Sequence, residues 1–154
     1  MLNKSDINEV KELYTNEKVR RYLGGTYEEE QIKTAIGDMV IKESESLYWV
    51  AREIRTNTFI GLVSLSPHHD GHDVELSYQV LPTWWGKGYG LEITQVILHY
   101  AFDELSLKRV IAETQLSNIK SCNLLKRLGM KLEKEIERFG AQQCIYSISS
   151  SSRK

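Results

Sequence analysis

The stretch from Val74 to Thr114 constrains the fold more than any other part of the chain. Val74-Glu75-Leu76-Ser77-Tyr78-Gln79-Val80 alternates strictly, which predicts a strand with Val74, Leu76, Tyr78 and Val80 on one face and Glu75, Ser77 and Gln79 on the other. Pro82 ends it, and Trp84-Trp85-Gly86-Lys87-Gly88-Tyr89-Gly90 turns the chain. Ile93, Val96, Ile97, Tyr100 and Ala101 then recur at helical spacing, with Glu92, Gln95, His99 and Asp103 opposite, so an amphipathic helix follows. Lys108 to Thr114 reads as a strand again. A strand-helix-strand unit makes a right-handed crossover between parallel neighbours.

The remaining segments add antiparallel partners and more helices. Ser5-Asp6 starts a helix carrying Ile7, Val10, Leu13 and Tyr14, and a short helical piece around Val19 to Leu23 stops at Gly24-Gly25. Thr26 with Glu29 forms a capping-box signature for a helix running toward Glu43, with Ile32, Ala35, Ile36, Met39 and Val40 as its apolar stripe. Tyr48 to Ile54 and Phe59 to Leu65 predict a hairpin around Thr56-Asn57, and Pro67 to Asp73 is a polar loop. Asn118 to Leu128 reads as a helix ended by Gly129, before a closing hairpin of Met130 to Phe139 and Gln142 to Ile148. The result is an α/β or α+β single domain over residues 1–148, with a mixed sheet flanked by helices and a flexible Ser-rich tail over 149–154.

Composition narrows the function. With 154 residues and 41% hydrophobic positions the chain fits one domain with a real core. Its 20 Lys+Arg against 21 Asp+Glu leave no basic excess, so neither nucleic acid nor an anionic membrane is an expected partner. No apolar run reaches the roughly 20 residues of a membrane span, and the start offers no secretory signal. Two cysteines, Cys122 and Cys144, provide neither a disulfide framework nor a four-cysteine metal site. A cytoplasmic protein with reduced thiols is the expectation.

The glycine turn is the sharpest chemical signal. Gly86, Gly88 and Gly90 permit close backbone approach at a helix start, where unpartnered amides and the helix dipole favour a pyrophosphate. Lys87 adds a mobile counter-charge. The G-x-G-x-G spacing fits neither the dinucleotide fingerprint nor a Walker loop, which disfavours a nicotinamide-dependent oxidoreductase.

Glu75 to Pro82, Trp84 to Gly90, Asn118-Ile119-Lys120-Ser121 and Leu128-Gly129-Met130 together resemble the GNAT superfamily of N-acetyltransferases, and within it the ribosomal-protein N-terminal acetyltransferases. The similarity spans nearly the whole chain. It implies a sheet splayed at its centre, acetyl-CoA as donor and a primary amine as acceptor, which is a peptide N-terminus or a small molecule. The family's pyrophosphate loop, [Q/R]-x-x-G-x-[G/A], falls on Trp85, Gly88 and Gly90, so Trp85, Gly86, Lys87, Gly88, Tyr89 and Gly90 are the implied cofactor contacts. Trp85 stands where the family has Gln or Arg. By the same resemblance Val80 bonds the pantetheine arm through its backbone, and Asn118 touches the cofactor. Relatives begin with a strand before the first helix, so an edge strand is absent here, and an unpaired edge favours a homodimer.

Amine acetylation needs a neutral amine and a stabilised leaving thiolate. Glu75, on the polar face of the strand before the loop, is the candidate base, directly or through a water; as a bare sequence feature it is a solvated strand carboxylate. Many superfamily members place a tyrosine acid seven residues after the Asn, where this chain has Leu125. Ser121 resembles the serine given that task in the ribosomal-protein branch, although a hydroxyl in a first turn is commonly a cap. Tyr146 is the alternative acid, with a core role the stronger reading. His68-His69-Asp70-Gly71-His72-Asp73 crowds metal-ligating types, but such loop clusters are non-specific, Asp70-Gly71 is a good turn pair, and the resemblance needs no metal. His99 reads as solvated, and Cys122 has no evident base. Trp84 and Trp85 suit either the cofactor mouth or the core. Glu28, Glu29 and Glu30 could draw a cationic amine, though a solvated helix start accounts for them. The rival of another class is a CoA-binding sensor or interaction module without catalysis, suggested by Leu125.

Overall fold

A computed structural model describes residues 1–40, 45–68, 71–138 and 140–152. Six strands form one sheet in the order β1-β2-β3-β4-β6-β5. They are β1 (Leu47–Arg52), β2 (Phe59–Pro67), β3 (Val74–Val80), β4 (Arg109–Gln115), β5 (Lys131–Arg138) and β6 (Ala141–Ser149). All neighbouring pairs are antiparallel except β3 and β4, which run parallel through the crossover helix α4 (Tyr89–Asp103). The helices α1 (Ile7–Thr15), α2 (Glu17–Arg20) and α3 (Glu29–Val40) precede the sheet, and α5 (Ile119–Arg127) follows β4.

Each face of the sheet has its own core. Val63, Leu65, Leu76, Val110, Ala112 and Tyr146 meet α4 and α5 on one side. Phe59 and Leu62 meet Val10, Leu13, Ile32, Ile36 and Met39 of α1 and α3 on the other. β2 is buried on both faces, as expected of a strand inside a sheet that is covered twice.

Several boundaries follow local chemistry that patterning misses. The helix expected from Ser5-Asp6 is preceded by a 3-10 turn over Lys4–Asp6, in which Asn3 caps and Asp6 accepts from the Asn3 amide at 2.9 Å. Thr26 and Glu29 do not form the expected capping box; α3 starts later, and Gln31 Oε1 accepts from the Glu28 amide at 2.8 Å. The end of that helix toward Glu43 lies outside the described residues. In α4 the buried sector is Thr94, Ile97, Leu98, Ala101 and Phe102, whereas Val96, expected on the apolar stripe, is 60% exposed. Thr94 can be buried because its hydroxyl donates to Gly90 O at 2.8 Å. Gly129 ends α5 as expected: at φ 100° it lets the Gly129 and Met130 amides bond Lys126 and Leu125 carbonyls, closing a Schellman motif. The tail expected over 149–154 is ordered at its start, since β6 reaches Ser149 and a 3-10 turn over Ser150–Ser152 follows; 153 and 154 lie outside the described residues.

No full strand precedes α1, but the Leu2 amide donates to Tyr48 O at 3.0 Å, and Leu2 is buried beside β1. Among the described residues no helix is long and apolar enough to cross a membrane.

Candidate active site

β3 and β4 share a single ladder position, Glu75 with Ile111. Below it Arg109, at the start of β4, donates to Asp73 Oδ1 at 2.9 Å and to Glu133 Oε2 at 2.6 Å, holding that end together. Above it the strands separate into a slot. The Leu81 amide bonds Ile60 O at 3.0 Å on the β2 side, so Val80, one residue earlier, turns its backbone groups toward β4 and the slot. There the Trp85 indole N–H donates to Val80 O at 2.7 Å, with the Lys120 ammonium 5.0 Å from the Trp85 ring. The backbone that the resemblance assigns to pantetheine thus already engages Trp85 through its carbonyl.

The glycine turn sits at the mouth of this slot. Gly86 and Gly88 have φ of 76° and 84°, and a Cβ added at either would meet nothing within 4 Å. Gly88 is the N-cap of α4. Open space over left-handed backbone at a helix start is what a diphosphate needs to approach the amides. Gly90 differs, because a Cβ there would lie 2.9 Å from Leu124 Cδ1; it lets α4 pack on α5. Lys87 lies 5.7 Å from the Trp84 ring, Tyr89 meets Trp84 edge-on, and Trp84 Nε1 donates to Phe59 O at 3.1 Å. Trp84 therefore anchors the turn to β2, and Trp85 serves the mouth.

Glu75 is half-buried rather than fully solvated. Glu75, Ser77 and Gln79 lie on the face of β3 away from the Leu76 and Tyr78 core, each half-buried, and Gln79 meets Arg20 of α2 there. Around Glu75 gather His68, Glu113 and Arg138, with His68 Nε2 2.7 Å and Arg138 Nη1 3.6 Å from Glu113 Oε1. Burial raises the Glu75 pKa to about 7 against the pull of His68; the Glu113 charge adds to the rise, and the Glu113 backbone amide and Arg138 oppose it. A carboxyl that is half ionised near neutrality is suited to accept a proton.

On the opposite face Ser121, in the first turn of α5, lies 2.6 Å from the Tyr78 hydroxyl. Asn118 is the N-cap of α5 and accepts from the Ser121 amide at 3.3 Å.

The chain matches the model of the acetyltransferase (GNAT) domain over residues 1–131. It belongs to the GNAT acetyltransferase family. The uncharacterized N-acetyltransferase YnaD of Bacillus subtilis is 30% identical over 129 residues, covering 83% of this chain and 75% of that protein. Two solved structures share the fold. One is a GNAT-family acetyltransferase from Bacillus anthracis, at TM-score 0.83 and 23% identity, covering 97% of this chain and 92% of that one. The other is a spermidine N-acetyltransferase from Vibrio cholerae in complex with CoA and spermine, at TM-score 0.85 and 21% identity, covering 98% and 94%. This GNAT chain is accordingly an acetyl-CoA-dependent N-acetyltransferase.

Within this acetyltransferase several sequence candidates fall away from the slot. Leu125, at the superfamily tyrosine position, is fully buried core. Tyr146 is also core, its hydroxyl pushed up to about 12 by burial and by Cys122. Cys122 and Cys144 are buried free thiols. His99 and Glu28 to Glu30 are exposed. His68, expected in a polar loop, is instead buried against Glu113; His69 and Asp70 lie outside the described residues.

The face of the N-terminal helices holds contacts that patterning did not single out. Tyr14 and Tyr27 stack at 4.9 Å, and the Arg20 guanidinium lies 4.5 Å from the Tyr27 ring. Arg20 is buried and donates to the Gly25 and Leu23 carbonyls and to Gln79 Oε1. Gln115 Nε2 donates to Tyr22 O at 3.1 Å. The segment around Tyr22 is thereby tied to β3 and to β4, spanning the outer end of the slot. Beside it an open groove of about 530 Å³ runs between the α1–α2 junction and Leu81 to Thr83, with Glu12, Glu17 and Lys18 on its walls. The Arg20–Gln79 and Gln115–Tyr22 contacts join residues far apart in sequence, so no local spacing could reveal them.

Proposed function

We propose that the protein acetylates a primary amine by direct attack on acetyl-CoA in a ternary complex. Glu75 removes the amine proton, directly or through a water. Ser121 meets the leaving sulfur and donates its hydroxyl hydrogen toward the developing thiolate. The diphosphate lies on the turn of Trp85, Gly86, Lys87, Gly88, Tyr89 and Gly90, the Val80 backbone meets the pantetheine arm, and Asn118 flanks the cofactor. The acceptor enters from the face of α1 and α2. The groove carries two carboxylates, Glu12 and Glu17, against one cation, Lys18, an excess that favours a cationic amine there. Likeness in fold to a spermidine N-acetyltransferase supports a polyamine-type small molecule, and the sequence likeness to the ribosomal-protein branch supports a peptide N-terminus.

The observation that carries this reading is the placement of Glu75 at the last rung before the slot, with burial holding its carboxyl near neutrality. A rise in kcat through about pH 7 is expected, because the base works only when ionised. Glu75→Gln should lower kcat about 100-fold and abolish that rise, with acetyl-CoA affinity kept. Calorimetry with acetyl-CoA and a thiol-release screen over spermidine, an aminoglycoside and N-terminal peptides supply the measurements. An unchanged pH profile in Glu75→Gln would remove Glu75 from the reaction. Acetyl-CoA binding without thiol release for any amine would favour the non-catalytic module.

A further inference from the structure

Tyr78 lies three residues beyond the last β3–β4 rung, and its phenol spans the slot to Ser121 on α5. The contact is 2.6 Å, so one of the two hydroxyl hydrogens lies between the oxygens. A phenol is the stronger acid of the pair and the better donor, which makes Tyr78 the donor and Ser121 the acceptor. The Ser121 backbone is independently fixed, its amide held by Asn118 Oδ1. With one lone pair of Ser121 Oγ occupied by the phenol, the hydrogen of Ser121 is turned away from Tyr78.

We infer that Tyr78 is a positioning residue of the transfer step, aiming the Ser121 hydroxyl hydrogen at the sulfur that leaves the acetyl group. The inference rests on the role proposed above for Ser121. As the amine nitrogen bonds the thioester carbon, the C–S bond breaks and its electron pair stays on sulfur. The Ser121 hydrogen bond strengthens as that charge develops, and both hydroxyls keep their protons. The proton removed from the amine leaves through Glu75 to water, and the thiolate takes one from water. Burial holds the phenol pKa up to about 12 despite the Ser121 contact, so Tyr78 remains a neutral donor throughout.

The test compares wild type, Tyr78→Phe, Ser121→Ala and the double variant, using acetyl-CoA with the amine that releases thiol fastest in the screen. Phe keeps the ring and its packing. The single-turnover rate of thiol release should fall about tenfold in Tyr78→Phe, with the acetyl-CoA dissociation constant unchanged. The double variant should be no slower than Ser121→Ala alone, since Tyr78 acts only through Ser121. Three outcomes overturn the inference: full activity in Tyr78→Phe beside an impaired Ser121→Ala, additive losses in the double variant, or weakened acetyl-CoA binding that accounts for the slower rate. Full activity in Ser121→Ala would remove the proposed role of Ser121 and this inference with it. An absence of thiol release by the wild type would overturn the proposed function as well.

Discussion

Gly88 carries two constraints at once. Its backbone is left-handed, which costs a non-glycine residue about 1 kcal/mol, and it caps α4 where the space above it is open. Gly88→Asp should leave the protein folded with a slightly lower Tm, and acetyl-CoA affinity should fall more than about 100-fold through sterics and like charge. Calorimetry checks it, and undiminished affinity would remove the turn from cofactor binding. Gly88, Glu75 and Ser121 stand out in the sequence as candidates because each occupies a marked place in a local pattern. Their environments are not. The charge around Glu75 comes from His68, Glu113 and Arg138, after β2, on β4 and on β5, and only the sheet brings them together.

At the level of the element, Gly61 shows how tightly β2 and β3 are fitted. A Cβ on Gly61 would lie 2.2 Å from Gln79 O, a backbone atom of the neighbouring strand that has no freedom to yield. Gly61→Ala should therefore destabilise the protein by about 3 kcal/mol, read as a fall in Tm, and a wild-type Tm would refute the fit. Strands and helices with strong periodicity were readable to within a residue or two, as β3 and α5 show. α4 was readable as a helix but not in rotation. Val96 is a better hydrophobe than Thr94, yet Thr94 faces the sheet, since a hydroxyl bonded within its own helix no longer resists burial. The start of α3 failed for a related reason: Glu28 and Gln31 make a cap two residues later than Thr26 and Glu29 could.

For the whole molecule, the raised pKa of Glu75 works against stability. Glu75 ionises near pH 7 in the folded chain and near 4.5 when unfolded, so its stabilising contribution is complete below pH 4.5 and is lost as pH rises through 7. Glu75→Gln, which cannot ionise, should be more stable than wild type by about 3 kcal/mol at pH 8. The Tm difference between them should shrink to nothing below pH 4.5, and a pH-independent difference would refute the assigned ionisation. The overall architecture was legible because one strand-helix-strand unit and one glycine turn determine so much of it. The closing of the slot's outer end by Arg20 and Gln115 was not, since each reaches a carbonyl that any residue could supply.

The lone rung between β3 and β4 has a mechanical consequence. β1 to β3 form one fully laddered leaf and β4 to β6 another. The leaves share a short spine: the Glu75–Ile111 rung, the Arg109 clamp beneath it, and α4 lying across both. Bending at that spine widens or narrows the slot without breaking a ladder hydrogen bond in either leaf. Across the slot that bending is opposed by side-chain hydrogen bonds, Tyr78 with Ser121 and Gln115 with the Tyr22 carbonyl, so the gap is held by contacts that a ligand can replace.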